Sequence, residues 1–153
     1  MFCKSAKMEK LNPYLTFPGN CEEAFNFYKA VFGGEFSYIG RFRDIPSEEG
    51  LSIPEDRMNK IMHIVLPLGE KCLLMGSDCD DGWCPDVEVG NNVSLSINTE
   101  SREKADQLFE SLCSEGKITM QIGDVFWGSY YGMCTDKFGV TWIINYSKPE
   151  GNT

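Results

Sequence analysis

One pattern, a strand, a helix and three further strands, occurs twice along this chain of 153 residues. Apolar residues at helical spacing predict helices at residues 20–33 and 101–115, and segments rich in strand formers flank both. One helix covers only one face of a four-stranded sheet. The pattern therefore predicts an α+β fold of two βαβββ modules with curved, mostly antiparallel sheets. The uncovered faces must be buried against each other, against a second chain or around a ligand.

The first predicted helix begins with residues that favour a helix N-terminus. Asn20 is a good N-cap, and Glu23 stands three positions later, as in a capping box. The apolar face of this helix is predicted to consist of Ala24, Phe27, Tyr28 and Val31. In the second helix the corresponding face is Ala105, Leu108, Phe109 and Leu112. This repeat predicts that each helix packs on its own sheet.

The predicted strands delimit the domain. In the first module they cover residues 12–17, 35–43, 60–67 and 71–77, and in the second 92–98, 117–122, 128–134 and 140–146. Long polar segments lie at 44–59 and 78–90. We therefore expect a loose leader at residues 1–10, then a single domain at 11–149 with modules at 11–79 and 91–149.

Composition excludes several classes of protein. The net charge of -9 and the pI of about 4.6 argue against nucleic-acid binding, which needs clustered Lys and Arg. The sequence contains no apolar run near the ~18 residues that span a membrane. The seven Cys are odd in number and irregular in spacing, and no secretory signal precedes them. We therefore expect free thiols and a cytoplasmic location, with no zinc site at Cys79 and Cys84.

Five short motifs follow one another in a characteristic order. They are Pro13-Tyr14-Leu15-Thr16-Phe17 with Gly19-Asn20, Glu23-Ala24 with Phe27-Tyr28, Ile61-Met62-His63, Gly90-Asn91-Asn92-Val93-Ser94-Leu95, and Asp124 to Gly132 with Asp136 to Trp142. Together, over residues 12–146, they resemble the PhnB-like branch of the vicinal-oxygen-chelate superfamily of glyoxalases, bleomycin-resistance proteins and dihydroxybiphenyl dioxygenases. The resemblance implies the glyoxalase-like fold of paired βαβββ modules.

The resemblance also implies where a metal would bind. Enzymes of this superfamily hold a divalent metal with His, Gln or Glu on the first and last strands of each module. Alignment of the motifs places Pro13, Met75, Asn92 and Ile143 at those four positions. Pro and Ile cannot bind a metal, and the Met thioether is too soft for an oxygen-rich site. We therefore predict no metal cofactor, although an unusual site for a divalent metal near His63 stays open.

Members of this branch often carry the name of a ubiquinone-precursor methyltransferase. The strand-to-helix turns Pro18-Gly19-Asn20 and Asn98-Thr99-Glu100 lack the glycine-rich pattern typical of such cofactor sites. The sequence therefore does not support methyl transfer.

A pocket on the sheet faces is predicted to combine apolar and polar side chains. Its expected members are Leu15, Phe17, Met75, Asn92, Ser94, Ser96, Asp124, Trp127, Tyr131, Ile143 and Asn145. Asn92, Ser94 and Ser96 share one face of a strand, where they either meet solvent or orient a polar ligand. Asp124 is either a pocket carboxylate or a turn residue.

Two further features have alternative roles. His63 is the single histidine, and it is either a hydrogen-bonded residue of the sheet or a catalytic acid and base. The aromatic segment from Phe126 to Tyr131 is either core or dimer packing, or a wall on which a ligand stacks.

Three functions remain open. The first is a metal-independent protein that binds a small molecule in a concave pocket. The second is a lyase, isomerase or dioxygenase with an unusual metal site. The third is a structural or regulatory dimer without catalysis. In each case we expect a homodimer that completes its concave sheet faces across chains, since exposed apolar faces of this size are rare in soluble monomers.

Overall fold

The computed structural model describes residues 9–46, 52–79 and 84–148, which form two compact units divided between Val87 and Glu88. The first unit contains β1 (Tyr14–Phe17), α1 (Cys21–Phe32), β2 (Tyr38–Arg41), β3 (Ile61–Leu68) and β4 (Cys72–Asp78). The second contains β5 (Leu95–Asn98), α2 (Arg102–Cys113), β6 (Lys117–Asp124), β7 (Ser129–Thr135) and β8 (Thr141–Ser147). The predicted βαβββ order is confirmed in both. Most of the predicted leader and parts of both long polar segments lie outside the described residues.

Each unit contains one four-stranded mixed sheet. The strand order is β1-β4-β3-β2 in the first and β5-β8-β7-β6 in the second. The first strand of each unit pairs in parallel with the last one, and the other pairs are antiparallel. Parallel strands need a long crossover connection, and in each unit this connection contains the helix. This topology places α1 and α2 on one face of their own sheets.

The N-terminus of α1 differs from the prediction. Asn20 makes no side-chain hydrogen bond to the helix, so the predicted capping box with Glu23 is wrong. Instead the buried carboxylate of Asp78, at the end of β4, accepts a hydrogen bond from Cys21 N at 2.8 Å and from Ile61 N at 2.9 Å. An anion at this end also matches the helix dipole. Asp78 therefore ties α1 to β3 and β4 at once.

The core of the first unit lies between α1 and its sheet. Phe25 and Tyr28 are fully buried, and so are Leu66 and Leu74 of the adjacent strands β3 and β4. The buried face of α1 is Cys21, Ala24, Phe25 and Tyr28. Phe27 and Val31, which the sequence pattern assigned to this face, are only half-buried.

The second unit repeats this arrangement with a different cap. Ser101 caps α2 by accepting a hydrogen bond from Lys104 N. The predicted apolar face of α2 is confirmed, since all four of its residues are buried. Against it lie Trp142 and Ile144 of β8, both almost completely buried. These large side chains form the core of the second unit.

The expectation that all cysteines are free thiols is wrong for one pair. Cys79 and Cys84 form a disulfide, with Cα atoms 6.1 Å apart, within the range that this bond needs. Cys79 directly follows β4 and lies five positions before Cys84, and the irregular spacing of the cysteines did not indicate this pair. Among the described residues, Cys21, Cys72, Cys113 and Cys134 are free.

The described helices were also compared with the length and apolar character that a membrane span requires. Each contains 12 residues, and neither is long and apolar enough to cross a membrane.

Candidate functional site

Each sheet has a face opposite its helix, which we call the open face. In the first unit the helix-covered face is marked by Gly76, where an added Cβ would lie 2.6 Å from the ring of Phe25. Ile64 is the register partner of Gly76, and side chains alternate along each strand. His63 and Met75 therefore lie on the open face.

An aromatic cluster occupies this open face. Tyr14 Oη lies 3.3 Å from His63 Nδ1, and the two rings are stacked with centroids 5.6 Å apart. The ring of Tyr38 approaches His63 at 5.7 Å, inclined by 43°. Both tyrosines are 48% exposed. The first sheet thus presents one imidazole flanked by two phenols, which we call the tyrosine–histidine cluster.

Two residues predicted to line the pocket lie on the other face. Phe17 is 3% exposed and packs edge-on against Phe25 of α1. Leu15, two positions earlier on β1, is the register partner of Gly76 and shares its side of the sheet. The prediction that Leu15 and Phe17 point into the pocket is therefore wrong. Alternation along β1 is visible in the sequence, but its parity is set by the pairing of β1 with β4, which local sequence does not specify.

The open face of the second sheet carries a row of neutral polar groups. Asn145 Nδ2 donates hydrogen bonds to Asn98 Oδ1 at 3.0 Å and to Ser147 Oγ at 3.2 Å. Ser129 Oγ lies 3.2 Å from Ser147 Oγ. These four side chains, Asn98, Asn145, Ser147 and Ser129, form the polar row. It crosses β5, β8 and β7, and hydrogen bonds join its neighbouring members.

An aromatic wall stands beside the polar row. Tyr131 is the register partner of Asn145, and its ring packs edge-on against Trp127 at 5.6 Å. Trp127 in turn contacts Phe126 at 4.8 Å. Trp127 is 53% exposed and Phe126 is 97% exposed, so neither belongs to the core. Of the alternatives for this segment, core packing is wrong, whereas dimer packing and a ligand wall remain open.

Several other predicted pocket residues are brought together here. Ser96 and Ile143 are register partners on the open face, next to the pair Asn98 and Asn145. Ser94 immediately precedes β5. Asn92 lies outside the strand, because β5 begins at Leu95 and not at residue 92 as predicted. The shared polar face of Asn92, Ser94 and Ser96 is therefore shorter than expected.

Asp124 is not on the open face. Its carboxylate forms a bidentate ion pair with Arg102 of α2, on the helix side of the sheet. The Arg102 guanidinium holds the pKa of the Asp124 carboxyl below its usual range. The adjacent Tyr130 also faces α2, where its hydroxyl donates to Asp106, and this bond raises the tyrosine pKa. The prediction of a pocket carboxylate at Asp124 is therefore wrong.

The register also changes two of the four residues that the resemblance assigned to metal binding. In register, Tyr14 and not Pro13 lies beside Met75, and Ser96 and not Asn92 lies beside Ile143. The first unit thus offers a phenol and a thioether, and the second a hydroxyl and a hydrocarbon. Neither pair is a favourable donor set for a divalent cation. Among residues 9–46, 52–79 and 84–148, no group of three or more His, Cys, Asp and Glu could hold a metal ion.

Sequence reasoning missed Tyr14, Tyr38, Asn98, Ser129 and Ser147 as members of these faces. Asn98 follows Ser94 and Ser96 at period two, so the alternation of β5 already contained the signal. Tyr38 carried no comparable signal, because its position depends on the pairing of β2 with β3.

The two βαβββ units have the glyoxalase-like fold. A glyoxalase/bleomycin resistance protein/dioxygenase from Alicyclobacillus acidocaldarius matches with a TM-score of 0.53 over 93% of each chain; its 13% identity makes this a likeness of fold alone. Residues 9–145 match the profile of the family described as 3-demethylubiquinone-9 3-methyltransferase. The chain belongs to this PhnB-like family.

Individual relatives agree with this assignment. Protein PA1353 from Pseudomonas aeruginosa is 36% identical, with a TM-score of 0.79 over 93% of this chain and 100% of its own. The PhnB protein from Bacillus cereus is 25% identical, with a TM-score of 0.72 over 91% of this chain and 100% of its own. Protein YjdN of Escherichia coli strain K12 is 28% identical over 149 residues, which are 92% of this chain and 97% of YjdN.

Proposed function

We propose that this PhnB-like protein binds a small polar molecule on the open face of its second sheet. The observation that carries the proposal is the polar row beside the aromatic wall. Small-molecule sites combine apolar and aromatic surface with a few oriented polar groups. Here the polar group is Asn145, which is hydrogen-bonded to Asn98 and Ser147. The aromatic surface comes from the rings of Trp127 and Tyr131.

The groups of this site indicate the chemistry of its ligand. Amide and hydroxyl side chains donate and accept hydrogen bonds and carry no charge. The half-exposed ring of Trp127 offers a surface for stacking. A ligand with hydroxyl or amide groups and a planar part would satisfy both features. The proposal includes no metal, because Met75 and Ile143 stand where the superfamily places metal ligands.

Methyl transfer, which the family description names, is not part of the proposal. Each strand-to-helix turn makes a side-chain hydrogen bond within the protein. Lys60 Nζ donates to the carbonyl oxygen of Gly19 at 2.7 Å, and Thr99 Oγ1 donates to the carbonyl oxygen of Ser101 at 3.0 Å.

The substitution Trp127→Ala tests the site. A thermal-shift screen of small polar aromatic compounds should first identify ligands, because binding to the native state raises its melting temperature. Trp127→Ala should then weaken binding about tenfold, since it removes a stacking surface worth roughly 1–2 kcal/mol. The melting temperature without ligand should change little, because Trp127 is half-exposed.

The matched control is Ile118→Ala, which removes an exposed apolar side chain from β6 and should leave affinity unchanged. A screen without a single stabilising compound would contradict the proposal, as would a ligand that binds wild type and Trp127→Ala equally.

We also propose that the protein is a homodimer. Phe126 is 97% exposed, and its ring is an apolar surface that association with a second copy would cover. Light scattering at micromolar concentration should give twice the 17.3 kDa mass of one chain. Phe126→Ser should shift the particles toward the single-chain mass, whereas Ile39→Ser, on the first unit, should not. A wild-type protein with the mass of one chain would overturn this proposal.

For cellular location we propose the cytoplasm. Four described cysteines are free, which suits a reducing compartment, whereas the Cys79–Cys84 disulfide does not. Cell fractionation that recovers the protein outside the cytosol would contradict this location.

A further inference from the structure

A groove lies on the helix side of the second sheet, between α2 and the edge strand β6. Its volume is about 530 Å³, within the range of roughly 300–1,000 Å³ that small-molecule sites occupy. Both elements contribute to its lining, which includes Asp106, Phe109 and Glu110 of α2 and Ile118, Gln121 and Ile122 of β6. We call this the α2–β6 groove. It opens on the face of the sheet opposite to the polar row.

An irregularity of β6 turns an additional side chain into the groove. The register of β6 with β7 slips between Met120 and Gly123. As a result, Gln121 and Ile122 both lie opposite one residue of β7, Gly132. A bulge of this kind re-aims side chains and is frequent beside functional sites. Here both residues opposite Gly132 line the groove, and one of them supplies a carboxamide.

The floor of the groove is apolar and rests on β7. A Cβ added at Gly132 would lie 2.8 Å from the ring of Phe109 and 2.8 Å from the Cβ of Ile122. These two side chains therefore fill the space above the glycine, where helix and strand meet. Phe109 is buried, whereas Ile118, farther along β6, is 48% exposed. The groove thus has a packed apolar floor and an apolar side chain that solvent still reaches.

Two carboxylates stand on the α2 side of the groove. Asp106 and Glu110 are four positions apart and exposed, so they lie on one face of the helix, where like charges are unfavourable. Asp106 accepts a hydrogen bond from Tyr130 Oη at 2.7 Å, which leaves its charge in place. Arg102, one turn earlier, is paired with Asp124. Glu110 has no ion-pair partner in the part of the chain that the structure describes. The groove therefore presents two negative charges beside an apolar floor.

We propose that the α2–β6 groove binds a small organic ammonium ion. Its ammonium group lies between Asp106 and Glu110, and its apolar body covers the floor formed by Phe109 and Ile122. A primary ammonium group has three N–H donors, and the two carboxylates and the carboxamide oxygen of Gln121 offer three acceptors. The positive charge offsets the repulsion within the helix. The site is on the other side of the sheet from the proposed function and does not depend on it.

Nuclear magnetic resonance of the backbone amides tests the proposal. The probe is phenethylamine, a primary amine that is protonated at neutral pH, and phenethyl alcohol is its uncharged counterpart of equal length. Fragments of this size bind with a Kd of about 1 mM or weaker. Phenethylamine should shift amide signals of α2 and β6 in a saturable way. Phenethyl alcohol should bind about fivefold more weakly or not at all, because it lacks the charge.

Variants of exposed residues identify the groups that bind. Glu110→Gln keeps the size of the side chain but removes its charge, and should weaken phenethylamine binding about fivefold, the upper range for one exposed ion pair. Ile118→Ala should weaken it about threefold by removing apolar contact. The matched control is Glu100→Gln, which removes the same charge from an exposed position just before α2 and outside the groove, and should leave affinity unchanged. Trp127→Ala should also leave the shifts of α2 and β6 unchanged.

Three results would each overturn the proposal. They are equal affinity for the amine and the alcohol, a Glu110→Gln protein that binds phenethylamine as wild type does, and saturable shifts that occur only outside α2 and β6.

Discussion

Asp136→Ala is expected to lower the free energy of unfolding of the second unit by about 3–5 kcal/mol. The carboxylate is only 4% exposed and accepts hydrogen bonds from Phe138 N at 2.8 Å, Val140 N at 3.1 Å and Trp142 Nε1 at 2.8 Å. The substitution removes the carboxylate that accepts these three hydrogen bonds. The indole of Trp142 is buried, so its N–H has no direct access to bulk solvent.

Urea unfolding followed by tryptophan fluorescence measures this loss, because Trp142 lies in the core beside Asp136. Asp124→Ala is the matched control. It removes an aspartate that is exposed and ion-paired with Arg102, and exposed pairs of this kind contribute little to stability. Equal losses in the two variants would show that Asp136 does not organise the β7–β8 turn.

Gly76→Ala is expected to destabilise the first unit by about 2–3 kcal/mol, as overpacked cores are. The new Cβ would lie 2.6 Å from the Phe25 ring and 2.8 Å from the carbonyl oxygen of Leu15. The ring can move, but the carbonyl belongs to β1, which pairs with β4 at this residue. Relief of the clash would therefore disturb strand pairing as well as helix packing.

A double variant separates these two contributions. Phe25→Leu in the Gly76→Ala background frees space near the helix and should recover part of the stability but not all of it, because the contact with Leu15 remains. The control is Gly123→Ala in β6, where an added Cβ has no atom within 4 Å. Thermal unfolding of the four proteins measures the effect. A Gly76→Ala protein as stable as wild type would contradict this account of the core.

The two helices show which structural features the sequence predicts and which it does not. Ala105, Leu108, Phe109 and Leu112 are all buried as their spacing predicts, since a helix shows its periodicity in its own residues. The N-terminus of α1 is less predictable. Its capping group comes from Asp78, 57 residues from Cys21 in sequence, and no local pattern indicates that contact.

In the candidate sites, too, some features are encoded by neighbouring residues and others depend on contacts between distant strands. Alternation in Ser94, Ser96 and Asn98 is local, and it indicates one polar face from the order of the residues alone. The side of the sheet on which a strand places its residues is not local, since a shift of one residue in register exchanges the faces. That is why Phe17 is expected on the open face and lies under α1 instead.

By itself, the sequence determined the elements, their order, the family and the types of polar group available for binding. These depend on periodicity, turn residues and motifs, all of which are encoded within a few neighbouring residues. Tertiary structure alone decided that Tyr14 and Tyr38 meet at His63, that Asp124 pairs with Arg102, and that Trp127 is exposed. Each of these depends on which strands pair and in which register, a choice made by the free energy of the folded unit and not by any one segment.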